Sequence, residues 1–264
     1  LLLLLSLLAA AGFRVYQDRY GYSSETADLN AVFSLSGDRD VAVIFQDALY
    51  DTHALLLDGT FYLPADMVYS LLNKRFYYGK NDGTVYYALP EELVQTRVDT
   101  KEWSSETAGT VTESYAPAHL EGDVLYLAVD FVHKFTNFTA ETFTSPNRLW
   151  LRTAEEEKTA ATLTRATKLR TSGGVKSAII AQEASGSTVY ILDRMTDWSR
   201  VLTADGYIGY LENRFFSDER QVTLSVPSEY QEPEYRTAQL EGRVSMGWHN
   251  VISAEGNTTF ASVT

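Results

Sequence analysis

Four aromatic residues, Tyr190, Trp198, Tyr207 and Tyr210, carry the clearest chemical possibility in this chain, with Asp197 and Asp205 set between them. Aromatic faces beside carboxylates suit a peptide that carries free amines, so these four are the candidate ligand-binding residues. No comparable catalytic group stands out. The 264 residues contain no G-x-S-x-G, no H-E-x-x-H and no phosphate-binding glycine loop. Asp66 and Asp130 resemble paired carboxylates, yet each falls in the first turn of an expected helix, where a carboxylate meets exposed N–H groups. The four histidines (His53, His119, His133 and His249) are scattered without metal-ligand spacing, and there is no Cys. Metal: none, cofactor: none and catalytic residues: none are therefore the expectations, and disulfides are excluded.

Lys and Arg number 22 against 35 Asp and Glu, a net charge of −13. That balance argues against nucleic acid, whose phosphates need clustered cations. No basic stripe is visible either, which disfavours charge-driven binding to anionic lipid or wall polymer. At the N-terminus the chain opens inside an apolar run, Leu1 to Phe13, shorter than the about 20 residues of a membrane-spanning helix. Residues 1–13 read as the remnant of a signal peptide or, with Arg14 directly following, of an uncleaved membrane anchor. Either places the rest outside the cytoplasm, as a secreted or membrane-anchored protein with the membrane as one partner.

The elements that must position these residues fall into blocks. A polar linker is expected over 14–39. From 40 to 153 a strand–helix–strand pattern occurs twice: Tyr62-Leu63, Asp66, Val68 and Asn73 recur as Tyr126-Leu127, Asp130, Val132 and Asn137. Helical faces are predicted after Pro64 and after Leu127, and the two copies should pack as one α+β domain. The tyrosines Tyr77, Tyr78, Tyr86 and Tyr87 suit strand packing, with a sugar-stacking surface as the alternative. Residues 158–217 read as short strands between the turn signals Ser172-Gly-Gly174, Ser185-Gly-Ser187 and Ala204-Asp-Gly206, which suggests a small closed barrel. A linker is expected over 218–241, then an apolar strand in Arg243-Val-Ser-Met-Gly-Trp-His249.

The motif Asp58-Gly-Thr-Phe-Tyr-Leu-Pro64 before a short helix resembles the stalk-like domain named after the N-terminus of copper amine oxidases. Ala166-Thr-Lys-Leu-Arg170, Asp197-Trp-Ser-Arg-Val201 and Asp205-Gly-Tyr-Ile-Gly-Tyr210 resemble a bacterial SH3-like domain, a family that commonly binds peptidoglycan peptides or spaces other modules. The order anchor, stalk, SH3-like module and "W-H-x-V" strand (242–264) is similar to exported family 18 glycoside hydrolases of Gram-positive bacteria. The fold class implied is multidomain: an α+β duplicated stalk-like domain, an all-β SH3-like small barrel, and the first strand of a truncated (β/α)8 barrel. The acid motif of that family, D-x-x-D-x-D-x-E, does not occur in the sequence. The implied function is the non-catalytic anchoring and wall-binding part of a larger hydrolase of N-acetylated glycans, with cell-wall peptidoglycan as partner. A non-enzymatic adhesion or spacer protein is the alternative, and a catalytically dead sugar-binding barrel lies between the two.

Overall fold

The fold is that of a computed structural model, which describes residues 16, 21–231 and 233 in full and the backbone of 246–253 and 256–263. The expected anchor at 1–13 lies outside the described residues. Two compact units are formed, residues 1–232 and 233–264.

In the first unit a one-turn helix, α1 (Leu29–Val32), starts at Asp28, whose carboxylate accepts from the Asn30 N–H at 3.0 Å. Strands β1 (Asp40–Phe45), β2 (Ala48–Leu49), β3 (Ala54–Leu57) and β4 (Thr60–Pro64) lead into α2 (Ala65–Met67), which widens into a π turn over Val68–Leu72. Next come β5 (Phe76–Gly79), β6 (Thr84–Ala88), β7 (Leu93–Arg97), β8 (Glu102–Ser105) and β9 (Gly109–Thr112), a five-stranded antiparallel sheet in chain order. Then β10 (Ala118–Glu121), β11 (Val124–Ala128), α3 (Val129–His133), β12 (Thr139–Phe143) and β13 (Arg148–Arg152) complete an eight-stranded sheet ordered β10-β11-β4-β3-β1-β13-β12, with β2 beside β1.

The repeat is written into this topology. β3 and β10 start at 54 and 118, β4 and β11 at 60 and 124, β6 and β13 at 84 and 148, a constant separation of 64. β4 and β11 pair antiparallel about one equivalent pair, Leu63 opposite Leu127, with the symmetric pairs Tyr62 opposite Ala128 and Pro64 opposite Tyr126 on either side. Between the two sheets sits an aromatic core in which Phe76 and Tyr87 are 4.7 Å apart, Tyr87 and Phe135 4.6 Å, and Phe131 and Phe135 5.3 Å. Such ring pairs add to the area they bury.

β14 (Glu156–Leu163), β15 (Thr167–Arg170), β16 (Ile179–Glu183), β17 (Thr188–Arg194), β18 (Trp198–Thr203), β19 (Ile208–Glu212) and β20 (Phe216–Leu224) form a third sheet, ordered β16-β15-β19-β18-β17-β14-β20. One face holds its own core of Ala161, Leu163, Leu169, Val189, Val201 and Leu211. The other packs on the eight-stranded sheet through Leu202 and Tyr190, which meet Ile44 and Trp150. β13 is therefore buried on both faces: Leu149 and Leu151 enter the aromatic core, while Arg148, Trp150 and Arg152 face the seam.

Three expectations about the fold are overturned. The chain is mostly β, with 48% of residues in strands and 10% in helix, so the duplicated domain is not α+β. The helices stop after one or two turns because Asn73 turns extended and the stretch after His133 gives way to strand. Segments this short cannot form a layer, since nucleation is costly and few backbone bonds follow it. Nor is there a closed barrel. Both edges of the third sheet are taken by segments outside the expected module: β20 lies along β14, and Glu25 and Ala27 exchange backbone bonds with Ile179 beside β16. The expected linkers 14–39 and 218–241 thus contain pairing segments. Finally, in the second unit β21 (Met246–Ser253) pairs antiparallel with β22 (Gly256–Val263) as a hairpin. Strands of a (β/α)8 barrel are parallel and need a crossover of a dozen or more residues, whereas two separate these.

The chain after β20 is fastened back onto the repeat. Asn137 donates from Nδ2 to the Tyr230 carbonyl at 2.6 Å and accepts the Tyr230 N–H at 2.8 Å. Its counterpart Asn73 binds the Phe135 carbonyl and the Thr136 hydroxyl instead. The same residue type thus serves two backbones at related positions.

Candidate functional site

The structure divides the four candidate aromatics. Tyr190 packs on Trp150 across the seam, with ring centroids 5.7 Å apart. Tyr207 also belongs there: the Arg148 guanidinium lies over its ring at 3.9 Å, and its hydroxyl donates to the Ser145 carbonyl at 3.3 Å. Both rings are covered by the neighbouring sheet. Trp198 and Tyr210 remain on the uncovered part of the same face, where Tyr210 pairs with Arg170 on one side and Arg200 on the other.

Trp198 lines a groove of about 280 Å³ with Tyr22, Arg165, Lys168, Glu212 and Phe215. The groove exists because β15 meets β19 at a single residue pair, Arg170 with Tyr210, leaving the rest of the two strands apart. Phe215, in the one-turn helix over Asn213–Phe215, has two cations on its ring: Arg165 at 5.2 Å and Arg214 at 4.9 Å. Tyr22 donates to Glu212 at 2.6 Å, Arg214 donates to the Tyr22 hydroxyl at 2.6 Å, and Arg214 Nε lies 2.8 Å from Glu212. Partial burial and the bond to Glu212 raise the Tyr22 phenol above its ordinary range, so it stays protonated as that donor. Arg170 is buried at the groove wall, donating to the Ser177 and Ser23 carbonyls. Burial lowers its guanidinium pKa, but an arginine keeps its charge.

Glu212 is the single carboxylate of the lining, and it is already engaged by Tyr22 and Arg214. Arg165 and Lys168 are exposed and have no carboxylate partner among the described residues. The expected flanking acids, Asp197 and Asp205, do not line the groove. Its polarity is therefore the reverse of the one expected: it favours an anion, not an amine. Tyr22, Arg165, Lys168, Arg214 and Phe215 were missed because residues 22, 165 and 214 are far apart in sequence. The signal available was the cation pair in Arg165-Ala-Thr-Lys168, one in the bend after β14 and one in β15.

Behind the groove, Glu183 lies opposite Thr167 and is 5% exposed. Burial, and then the charge of Asp205, push its pKa above the ordinary carboxylate value. The folded state therefore holds this proton to higher pH than the unfolded chain, and stability falls as pH rises from about 4.5 through the folded pKa. Glu183→Gln should raise the thermal unfolding midpoint at pH 7 and leave it unchanged near pH 4, measured by circular dichroism. A midpoint lowered at pH 7 would show that the carboxylate is held by a favourable partner.

Among the histidines, His53 lies 2.9 Å from Asp40, His119 pairs with Asp99, and His133 stacks on Phe138 at 3.8 Å. The described residues contain no group of three or more metal-ligating side chains, and no helix among them is long and apolar enough to cross a membrane. No protein-family model, curated protein or solved structure matches the chain.

Proposed function

We propose that this chain is an extracytoplasmic, non-catalytic binding segment of a bacterial surface glycan hydrolase, holding wall peptidoglycan through the groove beside Trp198. One observation carries the reading. On a chain of net charge −13, Arg165 and Lys168 project beside the aromatic surfaces of Phe215, Trp198 and Tyr22. Stem peptides carry free carboxylates, and a carboxylate between two cations over aromatic faces is held by charge and orientation together. The apolar run Leu1 to Phe13 and the SH3-like sequence motifs support the wall location; the order of the stalk-like and SH3-like motifs, without the overturned barrel strand, supports the hydrolase.

The test is co-sedimentation with purified peptidoglycan sacculi. Arg165→Glu with Lys168→Glu should weaken binding at least about tenfold, since each surface ion contact contributes up to about 1 kcal/mol. Binding should also fall as salt rises from 50 to about 500 mM, because exposed charges are screened within a few ångströms at high ionic strength. Unchanged binding by the double variant would remove the groove from the account.

A further inference from the structure

The outer face of the five-stranded sheet carries a straight row of side chains that the core does not use. Tyr77 lies opposite Tyr86, Tyr86 opposite Gln95, Gln95 opposite Ser104, and Ser104 opposite Thr110. The inward neighbours Val85, Tyr87, Val94 and Thr96 are buried, so the alternation of each strand directs this row outward. Tyr77 is 67% exposed, and the two tyrosine rings lie nearly parallel at 28°, with centroids 6.3 Å apart.

Tyr86 is held in place rather than free to rotate. Its hydroxyl donates to Asp82 at 2.6 Å, and its ring passes over Gly79. A Cβ at position 79 would stand 2.4 Å from the Asp82 carboxylate and 3.3 Å from the Tyr86 ring, so only glycine lets both sit there. Beyond the tyrosines, Gln95 donates to the Ser104 hydroxyl at 3.3 Å, and the row continues into a shallow hollow of about 330 Å³. The adjoining row carries Arg97 and Glu102, and Asp82 adds a carboxylate beside Tyr86, so the face holds one cation against two anions.

We propose that this face is a second binding site, independent of the Trp198 groove, for an uncharged polysaccharide of pyranose units. The exposed ring of Tyr77, with the Tyr86 ring beside it at 28°, matches the apolar C–H face of a pyranose ring. The amide and hydroxyls of Gln95, Ser104 and Thr110 match the ring hydroxyls, the pattern of an apolar floor with a few convergent polar groups. A face with no excess of cations on a strongly acidic protein selects against polyanions, which the net charge repels. A partner protein would need a larger apolar area than two tyrosines and Leu93 supply.

The experiment is isothermal titration of the 264-residue chain with cellohexaose and with N-acetylchitohexaose. Binding to at least one is expected, weakened at least about tenfold by Tyr77→Ala with Tyr86→Ala and retained by Tyr77→Phe with Tyr86→Phe, since stacking needs the ring and not the hydroxyl. The circular dichroism spectrum of the alanine variant should match that of the parent. Binding to neither sugar, or binding that the alanine pair leaves unchanged, would overturn the proposal. The Arg165→Glu, Lys168→Glu variant should bind whichever oligosaccharide the parent binds with unchanged affinity, which separates this site from the wall-peptide reading.

Discussion

Arg148→Met should cost roughly 3–5 kcal/mol of unfolding free energy and split one unfolding transition into two, followed in urea by tryptophan fluorescence and circular dichroism. Arg148 is 2% exposed and forms no ion pair among the described residues, although the charge of Asp205 favours its cation. Its Nε donates to the Gly206 carbonyl at 2.9 Å, and its terminal nitrogens donate to the Pro146 carbonyl at 2.7 Å and the Asp205 carbonyl at 2.6 Å. Phe33, Phe143 and Tyr207 surround the guanidinium plane. Burial lowers its pKa, and Tyr207 opposes that shift. Methionine would fill the stem but leave the Gly206 and Asp205 carbonyls without their donor, and both belong to the third sheet. Arg148→Lys should recover little, because one ammonium cannot reproduce the fork that spans three acceptors. A single transition within about 1 kcal/mol of the parent would mean that apolar contacts alone couple the sheets.

Gly206→Ala should cost about 2–4 kcal/mol for two reasons that act together. The residue has φ of +70°, and a Cβ there would stand 2.5 Å from the Phe143 ring. Part of the loss comes from backbone strain and part from the ring. Phe143→Ala supplies the division: in that background the Gly206→Ala penalty should shrink by the steric part and keep the conformational one. Chemical denaturation of the four proteins of this cycle measures both. A penalty unchanged by removing the ring would assign the whole effect to φ. Because Gly206 also supplies a carbonyl to Arg148, its substitution and that of Arg148 should not be additive.

The repeat was legible because its markers are conserved in type at fixed spacing: Leu63 with Leu127, Asp66 with Asp130, Asn73 with Asn137. The helices were over-read because Met67, Val68, Leu71 and Leu72 do form an apolar face, although one too short to persist beyond two turns. The closed barrel was over-read because local strand pattern is silent about edges. Here Glu25, Ala27 and β20 reach the edges from both sides in sequence. The same blindness explains Tyr190 and Tyr207: half-exposed aromatics of a lone sheet become seam residues once a second sheet covers them. β13 hid its place in the same way. Arg148-Leu-Trp-Leu-Arg152 alternates charged or aromatic with aliphatic residues as a half-exposed strand would, yet all five are buried, so its two-sided burial was not legible either. The groove escaped notice because charge was read along the chain, where its cations are dilute, and not across strands, where they converge.

The pairing of Leu63 with Leu127 has a bearing on how such a chain could arise. A strand that meets its own counterpart antiparallel, centred on one equivalent pair with the flanking pairs exchanged symmetrically, makes the contact of a two-fold homodimer. Two separate copies of a single 64-residue repeat would need no new surface to associate by this register. Fusion then turns a concentration-dependent partnership into a permanent one and hides the β4 edge from strangers. Once tethered, the copies were free to diverge: Asn73 braces the interior, while Asn137 holds the passing chain at Tyr230.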